Sequence, residues 1–355
     1  MTTTDLLKIR LHNQQLSQNS FSSAAEVVEW MGAVQAQDYL GALWSLGMRL
    51  PATTESEVEK AVADRTIIRT WPMRGTLHFV SPKDIRWMLK YLAVRVQSKV
   101  ASVFRKEGLD KKQFIKAMKL WEKALAGGKA LTREEMYDVL EKGKLSSKGI
   151  RGLLMLGVAA QEGVLCFGAR QGKQQTLVLL DEWIPNKQPE LSKEEAMRRL
   201  AEIYVRSHGP VLPEDLAWWS GLSKTEATSA IKSLGELVIS EKSNGKSYWL
   251  FPAESSGKSK SVCALLPTYD EFGIAYKDRS PIIHKTDLKQ VGGVFTSGIM
   301  HNGKITGVWR RELEKEKVKL DIKPFAKYSA AQKKAVTTTI KAYGKFVGLK
   351  PDFKL

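Results

Sequence analysis

The sequence predicts a mainly α protein with β, made of tandem winged-helix (helix-turn-helix) units followed by a β-rich C-terminal region. Three observations predict it. Helical periodicity leading into two extended runs across a turn occurs three times along the chain, and Asn-Gly pairs at Asn244-Gly245 and Asn302-Gly303 mark hairpins. After the small, polar stretch Ser255–Ser261 the pattern turns to strands. At 355 residues the chain exceeds what one core usually supports, so two or more domains are expected.

The first unit opens with a helix over about Ser23–Val34, where Val27, Val28, Trp30 and Met31 are apolar and Ser22 or Ser23 is available as N-cap. Runs over Leu40–Met48 and Glu55–Ala63 follow. Then come two strands, Thr66–Trp71 and Thr76–Val80, across Pro72-Met73-Arg74-Gly75. Three helices and a hairpin is the element order of a winged helix.

A basic helical stretch, Pro82–Lys106 and Asp110–Ala126, leads to a second unit. It has a capped helix opening at Leu131-Thr132-Arg133-Glu134-Glu135, a helix over Ser147–Gln161, and a hairpin of Val164–Phe167 with Gln175–Leu180. The third unit has helices over Ser192–His208, Pro213–Trp219 and Ser223–Leu234, then strands Leu237–Glu241 and Ser247–Phe251. Beyond it, strands are expected at Val262–Leu266, Val294–Met300, Lys304–Trp309 and Val318–Ile322, with a closing helix over Ser329–Val347. These readings divide the chain at 1–81, 82–186, 187–256 and 257–355.

Charge narrows the partner. Against 38 Asp and Glu stand 56 Lys and Arg, a formal charge of +18, which favours a polyanion through counterion release and steering. The excess is uneven. Residues 81–151 hold 18 basic against 8 acidic side chains and residues 311–355 hold 12 against 5, making these the expected electrostatic footprint. The plain alternative is a set of solvated helix faces. The two cysteines, Cys166 and Cys263, lie in apolar runs, as buried thiols of a reducing compartment do, and their spacing suits neither a disulfide framework nor a zinc site. No metal and no cofactor are expected. Met1–Arg10 lacks the apolar core of a signal peptide and no run reaches the roughly 20 apolar residues of a membrane span. The expectation is a cytoplasmic monomer.

Familiar catalytic motifs are missing: there is no phosphate-binding loop, no dinucleotide fingerprint, no Cys-x-x-Cys and no His-Glu-x-x-His. Pro267-Thr268-Tyr269-Asp270-Glu271-Phe272 with Asp278-Arg279 concentrates carboxylates, leaving a glycosidase-like pair as a minor alternative to local ion pairing. What remains is Val34-Gln35-Ala36-Gln37-Asp38. Taken alone it reads as a polar helix end.

A nucleic-acid reaction gives that segment another use. A base alkylated at a ring nitrogen is cationic and leaves without a strong general acid. Its removal then needs a held water and a stabilised oxocarbenium-like transition state, and Gln amides supply both acceptor and donors for the water. Gln35 and Gln37 share a side only where the backbone is extended, so the preceding helix must end by Val34 or Gln35. Asp38 either accepts a proton or stabilises the sugar cation, or simply caps the helix that follows.

The duplex-contacting side chains are expected in two places. The first hairpin supplies Arg69, Trp71, Met73, Arg74 and His78, with Arg74 at the tip for phosphates and Met73 as an apolar wedge at a base step. Against this stand a hairpin lying on its own domain and a satisfied, partly buried His78. In the third unit, Lys224 and Lys232 of the helix over Ser223–Leu234 suit phosphates better than base edges.

In this order and in a chain of this length, Val34–Asp38, Arg69–His78 and Leu266–Asp270 with Asp278-Arg279 resemble the bacterial winged-helix DNA glycosylases of the AlkZ and YcaQ type. The resemblance covers essentially the whole chain. It implies tandem winged helices forming a basic DNA channel, a C-terminal β-barrel-like domain, and metal-independent, monofunctional removal of N-alkylated purines, including interstrand crosslinks. Double-stranded DNA with alkylated bases is the implied partner. The family's catalytic element is Gln, an apolar residue, then Gln or Asp, and Gln35-Ala36-Gln37 matches the Gln-ending branch. By resemblance Gln35 and Gln37 hold the hydrolytic water, while Asp38 directly after them leaves the working pair open to a shift.

Overall fold

Turn chemistry decides where the strands pair. Three two-residue hairpin tips, Arg74-Gly75, Asn244-Gly245 and Asn302-Gly303, have both residues at positive φ, the backbone whose twist matches the flanking strands. Arg74 takes φ 57° without an Asn or Gly side chain. The turn is tighter than the sequence predicts, with Pro72 and Met73 still in the strand Ile68–Met73. Pro72, which has no N–H to donate, falls where the pairing shifts register between Thr70 and Met73.

The computed structural model describes residues 1–18, 20–185, 188–252, 261–290 and 297–355. The expected linker Ser255–Ser261 lies outside them except for Ser261, as do the divisions at 186/187 and 256/257 and the first three residues of the strand expected at Val294–Met300. By its contacts the chain forms two compact units, one of Met1–Glu59 with Met197–Leu355 and the other of Lys60–Ala196. The division expected at residue 81 is therefore not where these units part, and the first hairpin belongs with Lys60–Ala196.

In the Lys60–Ala196 unit the strands run Thr76–Val80, Ile68–Met73, Leu165–Phe167, Thr176–Leu179, Leu131–Thr132, and each adjacent pair is antiparallel. Arg69 pairs with Phe167, so the first two expected hairpins share one sheet instead of projecting as separate wings. Helices Lys111–Leu125, Arg133–Lys142 and Arg151–Gln161 bury Trp121, Met136, Leu140, Met155 and Leu156 with Trp71, Leu77 and Phe167 of the strands. The expected helix Pro82–Lys106 is broken: α-helices Ile85–Met88, Val94–Lys99 and Ala101–Lys106 flank or follow a π-helical turn, Leu89–Ala93. That turn buries Leu89, Leu92 and Ala93 and contacts the strand Ile68–Met73.

The other unit holds a five-stranded sheet in the order Lys350–Phe353, Lys317–Pro324, Lys304–Leu313, Gly298–His301, Cys263–Leu266. All neighbours are antiparallel except the first pair, which is parallel. Helix Ala330–Val347 packs on both outer strands of this curled sheet, a half-barrel that fits the β-barrel-like domain implied by resemblance. A hairpin of Ile239–Ser243 and Lys246–Leu250 follows helices Pro213–Ser220 and Lys224–Lys232. The N-terminal helix Thr3–Asn13, absent from the sequence reading, buries Leu6, Leu7 and Leu11 with Tyr248, Leu266, Phe272 and Met300.

Candidate functional site

Ser23 caps the helix Ala24–Met31 through a reciprocal pair with Glu26. The helix then ends at Met31, three residues earlier than its periodicity predicts, because Gly32 turns out at φ 77°, ψ −49°. A side chain at this position would meet Ile203 Cγ2 at 2.4 Å. Only glycine satisfies both the backbone and the neighbour. Ala33–Gln35 is accordingly extended, Ala36 follows, and Gln37-Asp38 bend into the next helix, Tyr39–Gly47.

The two glutamines differ in depth. Gln35 is 8% exposed and its Oε1 is fully enclosed with no hydrogen-bond partner. An enclosed carbonyl oxygen with no protein donor is costly, and a bound group such as a water would satisfy it. Gln37 lies open to solvent. Asp38 caps the helix Tyr39–Gly47, accepting from Gly41 N at 3.2 Å, and both of its oxygens accept from one Arg311 nitrogen at 3.1 Å. Its carboxylate is thus already engaged twice.

C-terminal residues hold this segment on both sides. Before the bend, Gln35 N–H donates to Glu271 Oε1 at 2.9 Å. After it, Trp44 donates from Nε1 to Leu265 O at 2.7 Å and its ring meets those of Tyr343 and Phe346, each 5.1 Å away. Burial pushes the Tyr343 hydroxyl up to about 12, against the cation of Arg311 nearby.

Beneath the segment, Asp270 and Glu271 are both buried. Asp270 faces Arg49 through contacts of 2.8 and 3.1 Å and accepts from Ser45 Oγ at 2.6 Å. Glu271 accepts on its other oxygen from Trp219 Nε1 at 2.9 Å, and His208 Nε2 stands 3.7 Å from that oxygen. Ser207 Oγ donates to Ile203 O, so it accepts from His208 Nδ1–H, which turns Nε2 toward Glu271. Burial, partly opposed by Glu271, holds the imidazole below its ordinary pKa. These two carboxylates anchor structure and neither opens onto solvent, unlike a glycosidase pair.

The hairpin residues lie in the Lys60–Ala196 unit and most are inside it. Arg69 is 5% exposed, bonded to Gln175 Oε1 at 3.2 Å with its guanidinium 4.6 Å over the Phe167 ring. Trp71 lies tilted against the same ring, 5.2 Å between centroids, and Met73 is fully buried. Arg69, Trp71 and Met73, expected from sequence to reach a duplex, are buried among these neighbours. His78 is buried as well: Nδ1–H donates to Thr76 O at 2.9 Å, so Nε2 accepts from Arg74 at 3.0 Å. Half-buried Arg74 is the member of this group with solvent exposure.

On the helix Lys224–Lys232, Ala227, Ala230 and Ile231 face the core while Lys224, Thr225, Ser229 and Lys232 are exposed. Lys224 also pairs with Glu214 at 2.6 Å. Among the described residues no group of three or more His, Cys, Asp or Glu is arranged to hold a metal ion, and no helix is long and apolar enough to cross a membrane.

Three similarities bear on this arrangement. The family described as DNA glycosylase AlkZ-like matches residues 28–346, which include the whole Gln35–Asp38 segment. A curated relative from Streptomyces sahachiroi, an interstrand DNA cross-link repair glycosylase, is 25% identical over 321 residues, 84% of this chain and 85% of the relative. The solved structure of Streptomyces sahachiroi DNA glycosylase AlkZ superposes with a TM-score of 0.78 at 21% identity, covering 100% of both chains.

Proposed function

Because the chain belongs to the AlkZ-like DNA glycosylase family, we propose that it is a DNA repair enzyme hydrolysing the N-glycosidic bond of cationic N-alkylated purines in duplex DNA. Bulky adducts and interstrand crosslinks fall within this reading, supported by the activity named for the Streptomyces sahachiroi relative. The observation that carries it is the enclosed Oε1 of Gln35, which has no protein donor, in a backbone freed from its helix by Gly32.

In this mechanism Gln35 holds a water from the buried side and Gln37 from the open side. Departure of the base breaks the C1′–N bond, and its electron pair neutralises the cationic purine. The water oxygen bonds to C1′ and loses a proton to solvent, giving free base and an abasic sugar. No metal, no cofactor and no covalent enzyme intermediate takes part, so the enzyme is monofunctional. Positioning is the whole contribution of the amides. Asp38, with its oxygens engaged by Gly41 and Arg311, serves as helix cap and anchor of the segment and not as the proton acceptor.

Arg74, Lys224 and Lys232, with the basic excess of residues 81–151 and 311–355, grip the phosphate backbone. Helices ahead of a hairpin, as at Pro213–Leu250, support a winged-helix reading of that grip.

The test is release of free base from N7-methylated and from crosslinked duplex by the purified chain under single-turnover conditions. Gln35→Ala and Gln37→Ala are each expected to slow it about 100-fold while leaving duplex affinity intact. Unchanged rates in both variants would overturn the residue assignment. Tight duplex binding with no base release by the wild type across a lesion panel would make the chain a non-catalytic winged-helix binding protein.

A further inference from the structure

The two adjacent carboxylates of the Pro267–Phe272 segment have different employment. Asp270 has an arginine and a hydroxyl, a satisfied structural pair. Glu271 is completely buried, and it accepts hydrogen bonds from two neutral donors, Gln35 N–H and Trp219 Nε1–H, each at 2.9 Å. Burying a carboxylate is expensive. A side chain able to accept from both donors at once, one on each of two oxygens, is what the geometry demands, and a carboxylate meets it.

Its far side is rigid. Trp219 is fully buried, its ring 4.9 Å from Tyr204 and 5.5 Å from His208. Its near side is the last residue of a three-residue extended segment that follows the Gly32 turn. Glu271 therefore ties the short extended segment after the Gly32 turn to one of the most firmly packed parts of the core.

We propose that Glu271 is a positioning residue, clamping the Gln35 main chain so that the enclosed Oε1 of that side chain stays aimed at the hydrolytic water. This rests on the reading of Gln35 given above. Glu271 is fully enclosed and acts through the glutamine.

Glu271→Gln keeps the shape but offers one acceptor and an amino group, so one of the two N–H donors faces another donor. In single-turnover base release from N7-methylated duplex the rate is expected to fall about tenfold to 100-fold, with the dissociation constant for that duplex unchanged. Hydrogen–deuterium exchange over residues 33–37 is expected to quicken. In a Gln35→Ala background the substitution is expected to add no further loss, because both act through one group. A folded Glu271→Gln with the wild-type rate, or one whose loss adds fully to that of Gln35→Ala, overturns the proposal. Should Glu271→Gln fail to fold, Glu271→Asp carries the test, since it keeps the charge and both acceptors but withdraws them by one methylene. A wild-type rate in Glu271→Asp with unaltered exchange would also overturn it. If Gln35→Ala is itself fully active, the assignment of Gln35 fails first, and the exchange measurement then reports whether the clamp exists without its catalytic purpose.

Discussion

Replacing Gly32 by alanine tests the backbone condition on which the site depends. At φ 77°, ψ −49° an L-residue is outside its ordinary conformations, which costs roughly 1–3 kcal/mol. The added Cβ would also stand 2.4 Å from Ile203 Cγ2, well inside contact distance, on a fully packed neighbour that is 3% exposed. Overpacking of that kind costs roughly another 1–3 kcal/mol. A loss of about 4 kcal/mol results, or about 8–16 °C in melting temperature for a cooperative unit of roughly 200 residues. The assay is thermal and denaturant unfolding of Gly32→Ala, repeated in an Ile203→Ala background. Removing the isoleucine branch should recover the steric part, a coupling of roughly 1–3 kcal/mol, and leave the backbone part. Base release should fall beyond what the fraction unfolded explains, because relief of strain displaces Ala33–Gln35. A Gly32→Ala protein within about 0.5 kcal/mol of wild type, the range of an inert surface change, would refute the claim that this glycine enforces the helix end.

Asp38→Asn should separate cap from catalyst. Asparagine caps as well as aspartate, so helix Tyr39–Gly47 should hold, with at most about 1 kcal/mol lost through the weaker pairing with Arg311, and base release should stay near wild type; a 100-fold loss of rate with intact melting would instead make Asp38 part of the chemistry. Asp270→Asn leaves Arg49 charged and buried without its carboxylate, and roughly 3–5 kcal/mol of stability should go, read by denaturant unfolding. For pH, burial keeps His208 harder to protonate in the fold than in the unfolded chain, so the unfolded state binds the extra proton. Stability should therefore be full above about pH 6.5 and decline as pH falls below it, with a shallower decline in His208→Asn; equal slopes in the two proteins would refute this.

Local features were legible where the chemistry is local. Capping pairs at Ser23, Thr132, Ser223 and Ser329 and the Asn-Gly tips each act within four residues, and the elements they bound lie close to where sequence puts them. The first helix stops short of Val34 because Gly32 interrupts its apolar period, and glycine just past a helix is its ordinary stop signal. The strand Lys350–Phe353 is not legible in sequence because four residues with Pro351 carry little pattern until Lys317–Pro324 offers a parallel partner. The hairpin at Ile68–Val80 was legible as a hairpin and not as a covered one. What covers Arg69 and Trp71 is Phe167, about a hundred residues on, and no rule of turn or period reaches that far.

The same division runs through the site. Gln35-Ala36-Gln37 stands out in sequence because two amides flank an apolar residue, and that visibility concerns the groups that would meet water. What makes the amides useful is invisible there: a glycine forced by Ile203, an arginine pairing with Asp38, and a glutamate 236 residues beyond Gln35 in the chain. Amides are weak catalysts unless held, since an unheld Gln side chain spends its hydrogen bonds on solvent and explores several rotamers. A reaction that needs only a placed water thus shifts the demand from acid strength to rigidity. Such a site should lose rate on substitution of buried residues that never touch substrate, up to the loss seen on removing an amide itself, with Gly32 and Glu271 the first to examine.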